Sequence, residues 1–191
     1  MRKNFLKIWA VLFFVCFLAS KALAADFSAD MISTVGKVTT QSKIYASGNK
    51  IRMDMKEGIM IIRVDQQVSW MLMPSEKMYM ENPIDTSRVP QTSKNFNSET
   101  ERVSLGAETV DGQQAEKFKI TYTDNGKTES VYQWLVNQEI PVKVAAIDGS
   151  WSTEYKSLVV GAQPADLFEV PSDYSKMDMP SLGSMMGMGG H

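Results

Sequence analysis

Few residues in this chain could carry acid–base or nucleophilic chemistry. The only histidine is His191, the last of 191 residues, and the glycines before it offer nothing that would orient an imidazole as a general base. Carboxylates such as Asp54, Asp65 and Glu81 stand at alternating positions, which place them on a solvent-facing surface rather than in a pocket that would shift their pKa. The sequence therefore predicts no catalytic residues, no metal ligands and no cofactor, and we expect that the protein is not an enzyme.

The N-terminus has the pattern of an export signal. Basic residues precede an apolar run over residues 8–18, and Ala22-Leu23-Ala24 supplies the small residues of a cleavage site. We therefore predict a signal peptide over residues 1–24 and a location in the periplasm. The run is too short to span a bilayer, so we expect no integral membrane segment in the mature form. Cleavage would also remove Cys16, the only cysteine, and with it any thiol chemistry.

The charge of the mature chain argues against polyanionic partners. Removal of residues 1–24 takes four of the 20 basic residues and none of the 22 acidic ones, which leaves 16 against 22 and a net charge near −6. A mildly acidic surface without a basic run disfavours nucleic acid and electrostatic docking to anionic headgroups. We therefore expect no nucleic-acid partner.

Period-two alternation of apolar and polar residues recurs along the mature chain, with turn residues between the runs. The turns fall at Ser47-Gly48-Asn49, Glu57-Gly58, Asp111-Gly112, Asp124-Asn125-Gly126 and Asp148-Gly149. Such sequences form tight antiparallel connections easily. About ten or eleven strands with little helix predict a mainly β fold, a strongly curved antiparallel sheet or open barrel whose interior holds either packed side chains or a ligand.

Two runs break the alternation because they are apolar at every position. They are Ile59-Met60-Ile61-Ile62 and Trp70-Met71-Leu72-Met73, and they predict strands in mid-sheet that are covered on both faces. The long irregular segment from Pro83 to Ser98 is rich in polar residues and makes a poor amphipathic helix. As a loop or short helix, it can cover part of one face.

The fourteen methionines divide into two groups with different meanings. One group lies in predicted strands and comprises Met53, Met55, Met60, Met71, Met73, Met78 and Met80. Because methionine is flexible and polarisable, this group either fills gaps in an ordinary core or forms a wall that adapts to variable apolar partners. A second group lies in a flexible tail, residues 176–191, rich in methionine and glycine. The tail is a low-complexity end, a soft plug over the interior, or a Cu(I) site of thioethers and one imidazole.

The order of these strands resembles that of the LolA-like periplasmic proteins, which include the carriers of outer-membrane lipoproteins. The resemblance covers most of residues 27–174 and is greatest to an uncharacterised exported branch of unknown function. The motifs that carry it are Gly48-Asn49-Lys50-Ile51-Arg52-Met53, Ile61-Ile62-Arg63-Val64-Asp65, Val68-Ser69-Trp70-Met71-Leu72-Met73-Pro74, Val131-Tyr132-Gln133-Trp134-Leu135 and Leu167-Phe168-Glu169-Val170-Pro171. The opening amphipathic helix and the Arg-Pro pair of the carriers have no counterpart here, so no handover arginine is assigned.

The resemblance implies a half-barrel domain over residues 25–175 with an apolar concave face. On this basis we predict that the protein binds an apolar ligand, a lipid or the acyl chain of a lipoprotein, as a carrier or sensor. The predicted apolar wall comprises Met53, Met55, Trp70, Leu72, Phe118, Ile120, Tyr122 and Trp134. Two alternatives remain open: a protein-interaction module of an envelope stress system that works with envelope proteins and without lipid, and a copper-binding protein that uses the methionine-rich tail.

Overall fold

The computed structural model describes residues 26–84 and 89–177. The predicted signal peptide over residues 1–24 lies outside the described residues, as does residue 178 onward of the predicted tail. Across the described ranges, no helix is long and apolar enough to cross a membrane.

A single sheet organises the described part of the chain and contains twelve strands. Their bounds are β1 Phe27–Val35, β2 Val38–Ser47, β3 Lys50–Asp54, β4 Ile59–Arg63, β5 Val68–Met73, β6 Met78–Pro83, β7 Glu99–Val110, β8 Gln113–Asp124, β9 Lys127–Val136, β10 Ile140–Ala146, β11 Trp151–Val160 and β12 Ser175–Lys176. A short 3₁₀ helix spans Ala165–Phe168. The strand order is β12-β6-β5-β4-β3-β2-β1-β11-β10-β9-β8-β7.

Within β1–β6 and within β7–β11, strands that follow one another along the chain pair as antiparallel hairpins. The β8–β9 turn is typical: Asn125 and Gly126 both have positive φ, 47° and 78°, as a tight two-residue connection requires. All five predicted turns connect neighbouring strands of the sheet. The hairpin prediction from the sequence is therefore confirmed.

The sheet is open and strongly curved, and it forms the half-barrel that the sequence predicted. Its edges are β7 and β12, which lie at opposite ends of the strand order. The ladders shift register at β-bulges in β7, β10 and β11, and bulges increase local twist and bend a strand. One feature was not predicted: β12 pairs with β6 in parallel, so the sheet continues to Lys176, one residue into the predicted tail.

Cross-strand register assigns the side chains to two faces, since residues directly opposite in a ladder share a face. One face carries Phe27, Ala46, Ile44 and Met53, with Tyr155 from β11, and it forms the main core cluster. We call this the cavity face. The opposite face, which we call the outer face, carries Arg52, Ile61 and Trp70 among others.

The C-terminal segment covers the outer face of β4 and β5. Phe168 in the 3₁₀ helix is buried against Ile61 and Leu72, with Leu167 and Val170 beside it. On the other side of the sheet, Ile84 and Val89 pack on the main core cluster. The outer face of the two apolar runs is therefore covered as predicted, whereas on the cavity face Met60, Met71 and Met73 are only half-buried, so the cover predicted for that face is incomplete.

Candidate functional site

A cavity of about 670 Å³ lies on the cavity face, beneath the segment that leads into β7. Its apolar lining comes from both the sheet and that segment and comprises Met31, Met53, Val89, Pro90, Phe96, Tyr122, Val144, Trp151 and Tyr155. Polar residues also line it, among them Ser33, Thr153 and the Asp124–Asn125 turn. The volume falls within the range of pockets that hold small organic ligands, about 300–1,000 Å³.

Residues 89–98, which we call the strap, form the wall of the cavity opposite the sheet. Val89 packs against the main core cluster, and Phe96 packs with Ile120, Val131 and Val144. The ring of Phe96 also contacts that of Tyr122, with the centroids 5.2 Å apart. Apolar contacts at both ends therefore hold the strap over the sheet and leave the cavity between them.

Buried polar groups of the sheet fix the middle of the strap. Gln133 is fully buried, and its Nε2 donates to the carbonyl of Ser93 at 3.2 Å while its Oε1 accepts from Arg102 Nη1 at 3.1 Å. The hydroxyl of Tyr155 donates to the carbonyl of Gln91 at 3.2 Å. Burial without charged partners raises the pKa of Tyr155, so this hydroxyl stays protonated and remains a donor.

The mouth of the cavity carries acidic groups. Asp124 lines the cavity, and Glu129 and Asp148 line an adjoining hollow that shares Tyr122 and Trp151 with it. Burial raises the pKa of Tyr122, and the charges of Glu129 and Asp124 raise it further. Among the described residues that line these two spaces, none is a lysine or an arginine. The mouth therefore presents negative charge next to an apolar interior.

The carboxylates considered from the sequence lie elsewhere, in ion pairs of the outer face. Asp54 pairs with Arg52 at 2.6 Å, and Asp65 pairs with Arg63 at 2.8 Å. Hydrogen bonds from Lys176 and from the indole of Trp70 lower the pKa of Glu81. Among residues 26–84 and 89–177, no three or more His, Cys, Asp or Glu side chains cluster as metal ligands would.

Five of the eight predicted wall residues belong to the cavity-face cores. Met53 and Tyr122 line the cavity itself. Ile120 is fully buried in the core beneath the strap, and the guanidinium of Arg102 lies over the ring of Phe118, with 5.2 Å between Cζ and the ring centroid. Met55, just after β3, packs against the main core cluster.

Trp70 and Leu72 lie on the outer face instead. Leu72 is buried against Phe168, and the indole of Trp70 donates to Glu81 Oε2 at 3.0 Å. Their placement follows from register: Trp70 is opposite Ile61 and Leu72 is opposite Ile59, both on the face that the C-terminal segment covers. They do not share a wall with Met53 and Tyr122.

Trp134 also lies on the outer face, in a separate cluster with Ala115 and Val142. Its indole donates to Glu108 Oε2 at 2.7 Å, and this hydrogen bond lowers the pKa of Glu108. The ammonium groups of Lys117 and Lys143 lie 4.8 and 5.2 Å from its ring. The register places Gln133, not Trp134, toward the cavity side.

Sequence reasoning did not single out the strap residues Val89 and Phe96, or Trp151 and Tyr155 of β11, as lining residues. Alternation in β11 places Trp151, Thr153 and Tyr155 on one face, which the pattern could have indicated. For the strap no local signal exists, because an irregular segment has no periodicity that identifies the side chains facing the sheet.

Residues 28–140 match the family described as "Domain of unknown function (DUF4412)". No match was found among curated protein sequences.

Several solved structures are similar. The MucA/MucB complex of Pseudomonas aeruginosa has a chain with 13% identity and a TM-score of 0.48, and the match covers 82% of this chain and 59% of that one. The lipoprotein LppX of Mycobacterium tuberculosis has 16% identity and a TM-score of 0.43, over 74% of this chain and 86% of that one.

A putative outer membrane lipoprotein-sorting protein domain from Vibrio parahaemolyticus has 13% identity and a TM-score of 0.36, over 75% of this chain and 89% of that one. At these identities and scores, no ligand, partner or role is inferred from the likeness.

Proposed function

The chain belongs to the DUF4412 family, and we propose that it binds an apolar ligand, the acyl chain of a lipid or lipoprotein, in the cavity beneath the strap. The observation that carries this proposal is the cavity itself, about 670 Å³ between the sheet and residues 89–98 with methionine and aromatic side chains in its lining. The described residues that line it include no histidine, cysteine, lysine or arginine, and Asp124 is their only carboxylate.

Binding would be driven by removal of the acyl chain from water. Each methylene buried contributes about 0.8 kcal/mol, so about eight methylenes would contribute about 6 kcal/mol before the cost of ordering the chain. Met31 and Met53 suit this role because a flexible thioether side chain adapts to chains of different length and saturation. No charged contact with the acyl chain is required.

The polar part of the ligand would remain at the mouth, near the Asp124–Asn125 turn. An acyl chain held under the strap with its headgroup in solvent is the arrangement that a carrier or sensor of lipids needs. Together with the export signal predicted over residues 1–24, this arrangement supports work in the periplasm. This arrangement is compatible with a carrier that transfers the lipid to an envelope protein and with a sensor that signals to such a protein when lipid is bound.

The experiment that tests the proposal is native mass spectrometry, with organic extraction, of the mature protein purified from a bacterial periplasm without detergent. We expect about one lipid per chain, as one cavity of this size would hold. A protein that carries no lipid, and that takes up none from phospholipids or acylated peptides, would overturn the proposal and favour a protein-interaction module.

A pair of variants makes the test specific to the cavity. Met31→Trp places a large ring in the cavity, and we expect it to abolish the bound lipid. Val159→Trp is the matched control because Val159 is 61% exposed and, opposite Ser28 in the β1–β11 ladder, lies on the outer face. Equal lipid content in the two folded variants would place any bound lipid elsewhere.

A further inference from the structure

Four methionines stand in one line across the first half of the sheet. Met53 in β3 is directly opposite Met60 in β4, Met60 is opposite Met71 in β5, and Met71 is opposite Met80 in β6. Directly opposite residues share a face, and Met53 belongs to the cavity face. All four side chains therefore lie on the cavity face, at the spacing of neighbouring strands, about 4.8 Å.

The line continues into the last strand. In the parallel pair, Ser175 is opposite Met78 and Lys176 is opposite Tyr79, so the same register sets Met177 beside Met80. The backbone N–H of Met177 donates to the carbonyl of Tyr79 at 2.7 Å, which extends the pairing to this residue. We call Met53, Met60, Met71, Met80 and Met177 the methionine row.

The charged residues of β3 to β6 that stand beside the row in sequence, Arg52, Asp54 and Glu81, lie on the outer face because side chains alternate between the two faces. Met53 is buried, with 6% of its surface exposed, whereas Met60, Met71 and Met80 are each half-buried and so remain within reach of a solute. The row is thus a set of accessible thioethers in an apolar setting.

We propose that the methionine row is a binding site for a soft monovalent cation, Cu(I), held by thioether sulfurs from neighbouring strands. Thioethers are soft ligands that select Cu(I) over the harder divalent ions. Met60, Met71 and Met80 are the central set: their strands are about 4.8 Å apart and each side chain has three rotatable bonds, so the three sulfurs can converge on one ion. Neutral thioether ligands suit a singly charged ion, which needs less compensating negative charge than a divalent ion does.

This site differs from a copper site in the tail, since its ligands are fixed by sheet register rather than by a low-complexity sequence. It also differs from the cavity beneath the strap, whose lining includes Met53 but not Met60, Met71 or Met80. Methionines that only fill a core have no need to stand opposite one another on successive strands. The proposal therefore predicts that sulfur, and not merely apolar volume, matters at these positions.

The test is a titration of the full mature chain with Ag(I), and with Cu(I) without oxygen against a chromophoric competitor. We expect one ion per chain. The triple variant Met60→Leu, Met71→Leu, Met80→Leu preserves apolar volume and should fold, because such exchanges cost little stability. Loss of supporting partners alone costs 10–100-fold in metal affinity, so loss of these ligands should weaken binding by more than about 100-fold.

Two controls locate the site. The double variant Met31→Leu, Met55→Leu changes methionines outside the row and should bind the ion as the wild type does. A chain that ends at Met177 lacks the remaining tail methionines and should also bind as the wild type does. The proposal is overturned if the wild type binds no ion, if the row variant retains its affinity, or if either control loses the ion.

Discussion

Gln133 in β9 and Ser93 in the strap are joined by a hydrogen bond of 3.2 Å from Gln133 Nε2 to the Ser93 carbonyl. The amide of Gln133 has no exposed surface, and its other end accepts from Arg102, whose Nη2 also donates to the carbonyl of Lys94. Gln133 is thus a polar residue at a core position whose hydrogen bond holds the strap. Together with the packing of Phe96, this hydrogen bond keeps the strap over the cavity.

Replacement of Gln133 by leucine should loosen the strap. The carbonyl of Ser93 and the guanidinium of Arg102 would each lose a partner, which should lower the free energy of unfolding by about 1–3 kcal/mol. Hydrogen exchange should become faster over residues 89–98 in particular. Urea unfolding and hydrogen exchange followed by mass spectrometry would measure the two effects.

Thr121→Val is the matched control, because the hydroxyl of Thr121 bonds Ser130 between the same two strands, β8 and β9, without contact with the strap. It should leave exchange in the strap unchanged. Equal acceleration of strap exchange in the two variants would contradict the role assigned to Gln133.

Arg63 should be the main polar anchor of the C-terminal segment. It is buried, and its guanidinium contacts Glu169 at 2.6 Å, Asp65 at 2.8 Å and the Phe168 carbonyl at 3.4 Å. Arg63→Met should lower the free energy of unfolding by about 2 kcal/mol. This is less than the 3–5 kcal/mol of a fully buried pair, because the side chains of Glu169 and Asp65 are 53% and 36% exposed and stay hydrated.

Lys77→Met supplies the comparison for Arg63→Met. The Lys77–Asp173 pair also holds the C-terminal segment, at 2.9 Å, but its side chains are 65% and 55% exposed. An exposed pair of this kind contributes about 0–1 kcal/mol. Urea unfolding should rank the arginine variant as clearly less stable, and the opposite order would refute the assignment.

The Arg63–Asp65 pair should also make stability depend on pH in the acid range. Hydrogen bonding to Arg63 lowers the pKa of Asp65 in the folded protein below its ordinary value of 3.8. The folded state therefore binds this proton less readily than the unfolded state does. The stabilisation from the pair is complete above the unfolded pKa and is lost as pH falls through the lower folded pKa.

The difference in stability between the wild type and Arg63→Met should consequently be constant above about pH 5 and should shrink below about pH 4. Urea unfolding of both proteins between pH 7 and pH 2.5 measures it. A difference that grows toward low pH would show that Asp65 is not stabilised as a carboxylate in the folded protein.

If the cavity binds lipids, the acidic mouth should discriminate between headgroups. Asp124 and Glu129 would repel an anionic headgroup, by about 1 kcal/mol if the charges approach to about 4 Å in water, which is about fivefold in affinity. We expect a zwitterionic phospholipid to displace a fluorescent fatty-acyl probe better than an anionic one with the same chains.

The double variant Asp124→Asn, Glu129→Gln should reduce the difference between the zwitterionic and the anionic phospholipid in displacing the probe. Added salt should reduce the same difference in the wild type. A preference for the anionic lipid, or a difference that neither change affects, would contradict an electrostatic effect of these two residues.

The sequence by itself determined the strands, the hairpin pairing of most consecutive strands and the open sheet, because alternation and turn chemistry act over a few residues. Asn125-Gly126 needs no distant contact to form its turn. The LolA-like resemblance, carried by short motifs, agreed with the same architecture.

Only the tertiary structure decided which face of each strand became the cavity. In a run such as Trp70-Met71-Leu72-Met73 both faces are apolar. The pattern therefore does not predict that Leu72 packs against Phe168 while Met71 lies opposite Met60 on the cavity face. That choice depends on which distant segment covers each face: the strap on one side and the C-terminal segment on the other. Long-range packing decides which segment covers each face. Strand periodicity cannot predict this, because it treats the two faces as equivalent.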